Sequence, residues 1–209
     1  MQHLQMSFTN KEVYAMKNTV IFDLGNVLVA YDWKKYLDQF PYSGETKKII
    51  ADAMFLNRTW EDGDLGVYDE ESWLLAFIKN APSHEKEIRE VYANLEGTIR
   101  RFDYTDKLIQ KFREKGFGIY FLSNYSEYLY RKSKEELSFI ETFDGGVFSY
   151  SEKCMKPEVG IYKILLERYN IEPSNAIFYD DREENVKAAV ELGMEGVVFT
   201  PNIVEEILR

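Results

Sequence analysis

The stretch "NTVIFDLGNVLVAYD", residues 18–32, decides the fold that the rest of the chain completes. Residues 19–22 have the β-branched and aromatic character of a strand buried on both faces, and Gly25 and Asn26 readily form a turn. Asp23 therefore stands at the carboxyl end of a predicted strand. Because ligands bind at the carboxyl ends of strands in open α/β sheets, Asp23 is either a turn-capping residue or a catalytic one.

Four further segments resemble this first strand. Each is short, apolar and rich in valine, isoleucine, phenylalanine or tyrosine, and they comprise residues 116–123, 145–151, 175–181 and 195–200. Between them, apolar residues recur at three- and four-residue spacings, which predicts helices. Strand and helix therefore alternate. This alternation predicts an α/β fold with a Rossmann-like parallel sheet that carries helices on both faces.

One interval breaks the alternation. About eighty residues separate the first strand from the second, whereas a whole βαβ unit takes about 30. The interval has helical patterns, two of which open with Asp69 and Ser83 as predicted N-caps. We therefore expect a helical cap that closes over the strand ends and contacts substrate. The predicted organisation is an α/β core at 16–32 and 101–209, a helical cap at 33–100 and an N-terminal extension at 1–15.

Composition narrows the classes of partner. The chain has 209 residues, 45% of them hydrophobic, with a formal net charge of -10, which opposes binding to nucleic acid or to an anionic membrane. No stretch approaches the roughly 20 apolar residues that span a bilayer. One cysteine, Cys154, cannot form an internal disulfide, so a cytoplasmic protein is expected. His3 and His84 lie away from the predicted strand ends, so histidine chemistry is not expected.

Polar residues recur where the other predicted strands end. They are Ser123 and Asn124 after the second strand, Lys156 in the loop after the third, and Asp180 and Asp181 after the fourth. Taken singly, each could be a helix cap or a solvated side chain. A parallel sheet, however, gathers the carboxyl ends of its strands along one edge. We therefore expect these side chains to converge on Asp23.

Three carboxylates in one crevice need a cation. Mutual repulsion and desolvation would otherwise force up a carboxyl pKa at Asp23, Asp180 or Asp181. Mg²⁺ fits such a site because it prefers oxygen ligands and leaves positions open for water and a substrate phosphate. Lys156 would supply a second positive charge. The sequence therefore predicts a magnesium site at this edge of the sheet.

The remaining groups suit a tetrahedral oxyanion. The side chains of Ser123 and Asn124, together with the amides of the turn at Leu24 and Gly25, are candidate donors to phosphate. A carboxylate nucleophile, a divalent cation, a lysine and a ring of donors are the parts that phosphoryl transfer through an aspartyl-phosphate requires. A small phosphorylated metabolite is the expected partner.

The ordered set "FDLGNV", "FLSN", "KP" and "FYDDREENVKAA" resembles the four motifs of the haloacid dehalogenase superfamily, in the branch whose helical cap lies between the first two motifs. The "DLGNV" form is similar to that of bacterial sugar-phosphate phosphatases that act on glucose 1-phosphate. The resemblance implies that Asp23 is the nucleophile and that the Gly25 carbonyl and Asp180 bind magnesium, with Asp181 beside them. It also implies that Ser123, Asn124 and Lys156 hold the phosphate and that Asn185 stabilises the loop around Asp181.

The sequence departs from the pattern of these phosphatases at Gly25. They usually carry a second aspartate there, which protonates the leaving alkoxide, and a positioned acid is typically worth about 10²–10⁴ in rate. Three alternatives could explain the glycine: a dehalogenase, a weakly active binding protein and a sugar 1-phosphatase. A dehalogenase would need neither that acid nor the metal, and so would have no use for Asp180 and Asp181. A weakly active phosphate-binding or regulatory protein would need Lys156 and the donors alone. A sugar 1-phosphatase would release an acidic anomeric hydroxyl that depends less on protonation.

A different residue could also supply the proton. The candidates are Asp32, which is also the expected N-cap of the following helix, Asp62, Asp64 and a bound water. Trp60, beside the acidic turn "EDGD", is the candidate for contact with substrate, although tryptophan is more often a core residue.

Overall fold

The structure, a computed structural model, describes residues 17–209. The predicted N-terminal extension at 1–15 and His3 lie outside the described residues. Within them the strands are β1 (Thr19–Phe22), β2 (Val29–Tyr31), β3 (Ile99–Arg101), β4 (Gly118–Ser123), β5 (Gly145–Phe148), β6 (Ala176–Asp180) and β7 (Glu195–Val198).

Helices connect these strands. They are α1 (Trp33–Asp38), α2 (Gly44–Met54), α3 (Arg58–Asp64), α4 (Glu70–Asn80), α5 (Glu85–Ala93), α6 (Thr105–Glu114), α7 (Glu127–Lys132), α8 (Ser149–Glu152), α9 (Val159–Arg168), α10 (Glu183–Glu191) and α11 (Pro201–Leu208). Short 3₁₀ turns lie at Pro82–His84, Leu95–Thr98, Ser138–Thr142 and Pro173–Asn175. None of the helices within residues 17–209 combines the length and the apolar character that a membrane crossing needs.

A parallel sheet of five strands forms the core, in the order β5-β4-β1-β6-β7. β1 is the central strand, since it pairs in parallel with β4 on one side and β6 on the other. All four of its residues are buried, as this position requires. The predicted α/β fold is confirmed. The strands that end at Ser123 and Asp180 therefore flank the strand that leads into Asp23, as the sequence predicts.

The inserted helical region, defined here as α1 to α5, leaves the sheet after β1 and returns before β4. An antiparallel ribbon of β2 and β3 joins it to the core, with Val29 opposite Arg101. Two core side chains fix the base of this ribbon, since Tyr104 Oη donates to the Val27 carbonyl at 2.8 Å and Thr105 Oγ1 to the Leu28 carbonyl at 2.5 Å. The ribbon and α3 are elements that sequence patterns did not reveal.

Two of the three predicted N-caps are confirmed. Asp69 caps α4 through the Ser72 amide, and Asp32 caps α1 through the Lys35 amide. The prediction that Ser83 caps a helix is wrong: Ser83 lies inside a 3₁₀ turn, and α5 begins two residues later with no side-chain cap.

The predicted strand at 145–151 is too long. β5 ends at Phe148, and α8 begins at Ser149, whose hydroxyl donates to the Asp64 carbonyl at 2.5 Å and accepts from the Tyr125 amide at 2.9 Å. These contacts join segments that are distant in sequence, so a local pattern does not report them. One of them ties the inserted helical region to the edge of the sheet.

The packing of α3 gives a stability prediction. A Cβ on Gly63 would lie 2.3 Å from the Trp73 ring, which is 2% exposed and cannot move away, whereas a Cβ on Gly44 in α2 would meet nothing within 4 Å. Overpacking typically costs about 1–3 kcal/mol. We expect Gly63→Ala to lower the free energy of unfolding by that amount, measured by urea denaturation, and Gly44→Ala to leave it within about 0.5 kcal/mol. Equal effects in the two variants would contradict this packing.

Candidate active site

Asp23 follows β1 directly and is 8% exposed. Its Oδ1 atom accepts hydrogen bonds from Ser123 Oγ at 2.8 Å and from the Leu24 amide at 2.6 Å. Lys156 Nζ lies 3.0 Å from the same oxygen. Within the described part of the chain, these donors all reach Oδ1, so the lone pairs of Oδ2 are left for a substrate or a cation.

Lys156 is a buried cation between two carboxylates. Only 2% of the residue is exposed, and its Nζ lies 2.7 Å from Asp180 Oδ2 as well as 3.0 Å from Asp23 Oδ1. Burial by itself would lower the pKa of Lys156, but the carboxylates of Asp23 and Asp180 outweigh it and raise that pKa above its ordinary value. The ammonium therefore stays charged and links the ends of β1 and β6.

Asp180 is held by the start of the next helix. Asn185 Nδ2 donates to both of its oxygens, at 2.9 and 3.1 Å, and the Arg182 amide donates to Oδ1 at 2.9 Å. Asn185 therefore holds the start of the loop that contains Asp181, in agreement with the role expected of it. Asp181 itself accepts a hydrogen bond from Asn26, from Nδ2 to Oδ2, of 3.0 Å. Sequence analysis treated Asn26 only as a turn residue.

The carboxylates of Asp23, Asp180 and Asp181 are close enough to hold one metal ion, since an oxygen of each lies within 4.8 Å of the others. With Lys156 positive and all three ionised, the cluster has a formal charge of -2, which a divalent cation neutralises. A second observation fits a hydrated ion: Asn185 Oδ1 is buried and has no hydrogen-bond partner within residues 17–209. A metal-bound water would satisfy it.

The pKa values of the Asp23 and Asp181 carboxyls reflect the same excess of negative charge. Burial raises the pKa of Asp23 to about 7; Lys156 opposes the rise and Asp180 adds to it. Burial also raises the pKa of Asp181, against its hydrogen bond from Asn26. A bound divalent cation would lower both pKa values, because it stabilises the ionised form of each carboxyl.

The side chain of Asn124 is already engaged. Its Nδ2 donates to the Lys156 carbonyl at 2.9 Å, and its Oδ1 accepts from the Lys156 amide at 2.8 Å. Asn124 therefore holds the lysine loop against the end of β4. A contact between this residue and phosphate would have to use its main chain. Leu24 is buried, and Gly25 borders the cavity described next.

A cavity of about 610 Å³ opens above these groups. Its floor includes Asp23, Ser123 and Lys156, and its wall comes partly from the inserted helical region, where Trp60 lies as the sequence predicts. Trp60 also packs against Tyr31 and Trp73, with ring centroids 5.5 and 5.3 Å apart, so it is both a core and a wall residue. Sequence patterns did not indicate the other wall residues, which include Tyr31, Asn57, Arg58 and Tyr125.

The three aspartates considered as proton donors lie in different places. Asp32 caps α1, and Asp62 lies 3.5 Å from Arg58 Nε and does not border the cavity. Asp64 borders it. Cys154 does not border the cavity, and burial raises the pKa of its thiol.

Comparison with known proteins agrees with this geometry. Residues 17–193 match the family of haloacid dehalogenase-like hydrolases. The chain is 25% identical to a sesquiterpene phosphatase of Aspergillus oryzae over 183 residues, 88% of this chain and 90% of that protein. It is 27% identical to a flavin mononucleotide hydrolase of Arabidopsis thaliana over 145 residues, 67% of this chain and 56% of that protein.

A similar fold occurs in a haloacid dehalogenase family enzyme of Bacteroides thetaiotaomicron, whose crystal structure is a complex with magnesium and inorganic phosphate. The two chains superpose with a TM-score of 0.71 at 22% identity, over 88% of this chain and 94% of that one. Because the family match covers most of the sequence, the chain belongs to the haloacid dehalogenase-like hydrolases.

The buried ion cluster generates a second stability prediction. Lys156→Met removes the shared cation and leaves two carboxylates unpaired, a change that typically costs about 3–5 kcal/mol. We expect that loss in the free energy of unfolding at pH 8 without added metal, and a smaller loss at pH 5, where a buried carboxyl can take up a proton.

Lys48→Met is the matched control, because Lys48 forms an exposed pair with Asp52 at 3.7 Å and such pairs contribute about 0–1 kcal/mol. Urea denaturation of both variants at the two pH values measures the difference. Similar losses in the two variants would mean that the buried cluster does not stabilise the fold.

Proposed function

We propose that this protein is a magnesium-dependent phosphatase that hydrolyses a small phosphate monoester through an aspartyl-phosphate on Asp23. The observation that carries the proposal is the buried cluster of Asp23, Lys156 and Asp180, with Asp181 beside it. Asp23, Lys156 and Asp181 border the cavity, and Asp180 lies beneath them, fully buried. Family membership supports hydrolysis, and the phosphatase relatives support a phosphate ester as the substrate.

Each residue has a role in this proposal. Asp23 attacks phosphorus through Oδ2, while Ser123 and Lys156 fix Oδ1 and so orient the carboxylate. Lys156 and Ser123, with the amides of Leu24, Gly25 and Asn124, hold the phosphate oxygens. Water then hydrolyses the aspartyl-phosphate and regenerates Asp23.

Magnesium has its own set of ligands in the proposal. The residues that would hold it are Asp23, the Gly25 carbonyl, Asp180 and Asp181, and Asn185 Oδ1 would accept from a coordinated water. When bound, the ion supplies positive charge against the phosphate oxygens and keeps the carboxylates ionised.

The finer proposal for the substrate is a sugar phosphate such as a hexose 1-phosphate. Its anomeric hydroxyl leaves more easily than an ordinary alcohol, which suits a site with glycine at position 25. The faces of Tyr31 and Trp60 and the polar groups of Asn57 and Arg58 could contact a sugar, and the cavity of about 610 Å³ is of the size that small ligands occupy. In this proposal the inserted helical region acts as the cap.

A second candidate function is a weakly active phosphate-binding or regulatory protein. Gly25 favours it, because the position that usually carries the acid has no side chain. A dehalogenase is less favoured, since such an enzyme would gain nothing from three carboxylates around one point. We also propose a cytoplasmic protein whose partner is a small phosphorylated metabolite rather than nucleic acid or membrane; the single cysteine and the net charge of -10 support this.

The proposal predicts that activity needs both Asp23 and a divalent cation. We expect hydrolysis of 4-nitrophenyl phosphate with Mg²⁺, and a loss of at least about 10³-fold in kcat/KM for Asp23→Asn or after chelation, because nucleophile and cation act as one unit. Readdition of Mg²⁺ should restore the chelated enzyme.

Asp32→Asn serves as the matched control, because asparagine caps a helix as well as aspartate does. It should retain wild-type activity. Turnover that survives exhaustive chelation would reopen the dehalogenase alternative, and binding of hexose phosphate without turnover would favour the binding protein.

The sugar proposal makes a separate prediction about specificity. Glucose 1-phosphate and glucose 6-phosphate are isomers that carry the same functional groups. We expect kcat/KM for glucose 1-phosphate to be at least about tenfold higher, because its anomeric hydroxyl is the better leaving group. Release of inorganic phosphate from both measures the ratio. Farnesyl phosphate and flavin mononucleotide belong in the same panel, and a higher kcat/KM for either would displace the sugar as the proposed substrate.

A further inference from the structure

The core has an open position two residues after Asp23. Gly25 borders the cavity, and a Cβ built on it would meet nothing within 4 Å. Its backbone is not in the left-handed region, so the open space does not arise from a conformation reserved for glycine. The core therefore leaves room for a proton donor that it does not itself provide. A donor would have to come from another wall of the cavity.

α3 brings two acidic side chains to this cavity, Glu61 and Asp64; Glu61 is exposed, whereas Asp64 is half-buried and held at a fixed point. It is the last residue of α3, and its carbonyl accepts a hydrogen bond of 2.5 Å from Ser149 Oγ, which is fully buried in the core. Lys153 Nζ donates to the Gly66 carbonyl just beyond the helix. Two residues of the core thus hold the end of α3 against the sheet edge. The carboxyl of Asp64 and that of Asp23 border the same cavity.

We propose that Asp64 is the general acid of the reaction, supplied by the inserted helical region in place of the side chain that Gly25 lacks. This inference rests on the proposed phosphatase function and assigns one further residue to it. Asp62, two positions earlier, pairs with Arg58 and does not border the cavity, so the assignment distinguishes between neighbouring carboxylates of one helix.

The proton balance of the step is complete without another reactant. As Asp23 bonds to phosphorus and the bond from phosphorus to the leaving oxygen breaks, the Asp64 carboxyl gives its proton to that oxygen. The products are a neutral alcohol, the aspartyl-phosphate and an Asp64 carboxylate. In the second half, this carboxylate takes a proton from the water that attacks phosphorus. Inorganic phosphate leaves, and both aspartates return to their starting states.

The surroundings of Asp64 suit an acid that keeps its proton near neutrality. Burial raises its pKa to about 8, and the negative charges of Glu61 and Asp23 add to the rise, while a hydrogen bond from Trp60 opposes it. Tyr31 and Tyr125 also face this carboxyl, and both stay neutral because burial raises their own pKa values. The acid form is required, so activity that depends on Asp64 should fall as pH rises through about 8.

The test compares two esters of similar shape, 4-nitrophenyl phosphate and 4-nitrobenzyl phosphate, of which only the second needs a proton on its leaving group. With Mg²⁺, we expect Asp64→Asn to lower kcat/KM for the benzyl ester by about 10²–10⁴-fold and for the phenyl ester by less than about tenfold. Hydrolysis of the aspartyl-phosphate should also slow, so the variant should give a burst of nitrophenolate. Asp62→Asn is the matched control and should behave as wild type on both esters.

Two further variants test the assignment independently. Glu61→Gln removes a negative charge beside Asp64 and should move the alkaline limb of the kcat/KM profile for the benzyl ester to lower pH. Gly25→Asp, placed in open space, should restore the benzyl activity of Asp64→Asn at least tenfold. The Glu61→Gln result would stand even if Asp64→Asn proved poorly folded, because it is measured with Asp64 in place.

The failures of the two proposals are distinguishable. No turnover of 4-nitrophenyl phosphate by the wild type with Mg²⁺ would overturn the phosphatase function and the role of Asp64 together. Turnover by the wild type, with equal losses on the two esters for Asp64→Asn or with no loss on either, would overturn the role of Asp64 alone.

Discussion

One buried ammonium holds the functional edge of this protein together. Lys156 lies between Asp23 at the end of β1 and Asp180 at the end of β6, and all three are almost excluded from solvent. Taking such charges out of water is costly unless each meets an opposite charge and hydrogen bonds. Asn124 fixes the lysine loop, and Asn185 fixes Asp180. The carboxyl ends of β1, β4 and β6 and the loop that carries Lys156 are therefore tied together.

The same cluster carries more negative charge than its single ammonium can offset. One ammonium offsets one of the three carboxylates, and the pKa of Asp23 is raised to about 7 by burial despite Lys156. The excess negative charge, and the Asn185 Oδ1 atom that has no partner among residues 17–209, are a structural cost that a hydrated divalent cation would relieve. Stability and ligand binding thus draw on one set of side chains, which is common where a site is built at strand ends.

The inserted helical region completes the cavity and contributes carboxylates of its own. Its end at Asp64 is attached to the sheet edge through Ser149, so it is not free of the core at this point. The topology sets which groups each part contributes. The parallel sheet brings the attacking and anion-binding groups together, and the inserted helical region, which lies between β2 and β3, faces them from the other side of the cavity. Because position 25 is a glycine and carries no acid, the carboxylates of the inserted helical region become important.

The alternation of strands and helices, the position of Asp23 and the inserted region followed from the sequence, because hydrophobic periodicity and strand-end residues are local signals. Convergence of Ser123, Lys156 and Asp180 also followed, since a parallel sheet allows little else. Tertiary structure alone decided that β5 stops at Phe148, that Asn26 holds Asp181, and that Asp64 rather than Asp62 borders the cavity. Those outcomes depend on side-chain direction and desolvation, which are set by contacts between segments far apart in the chain.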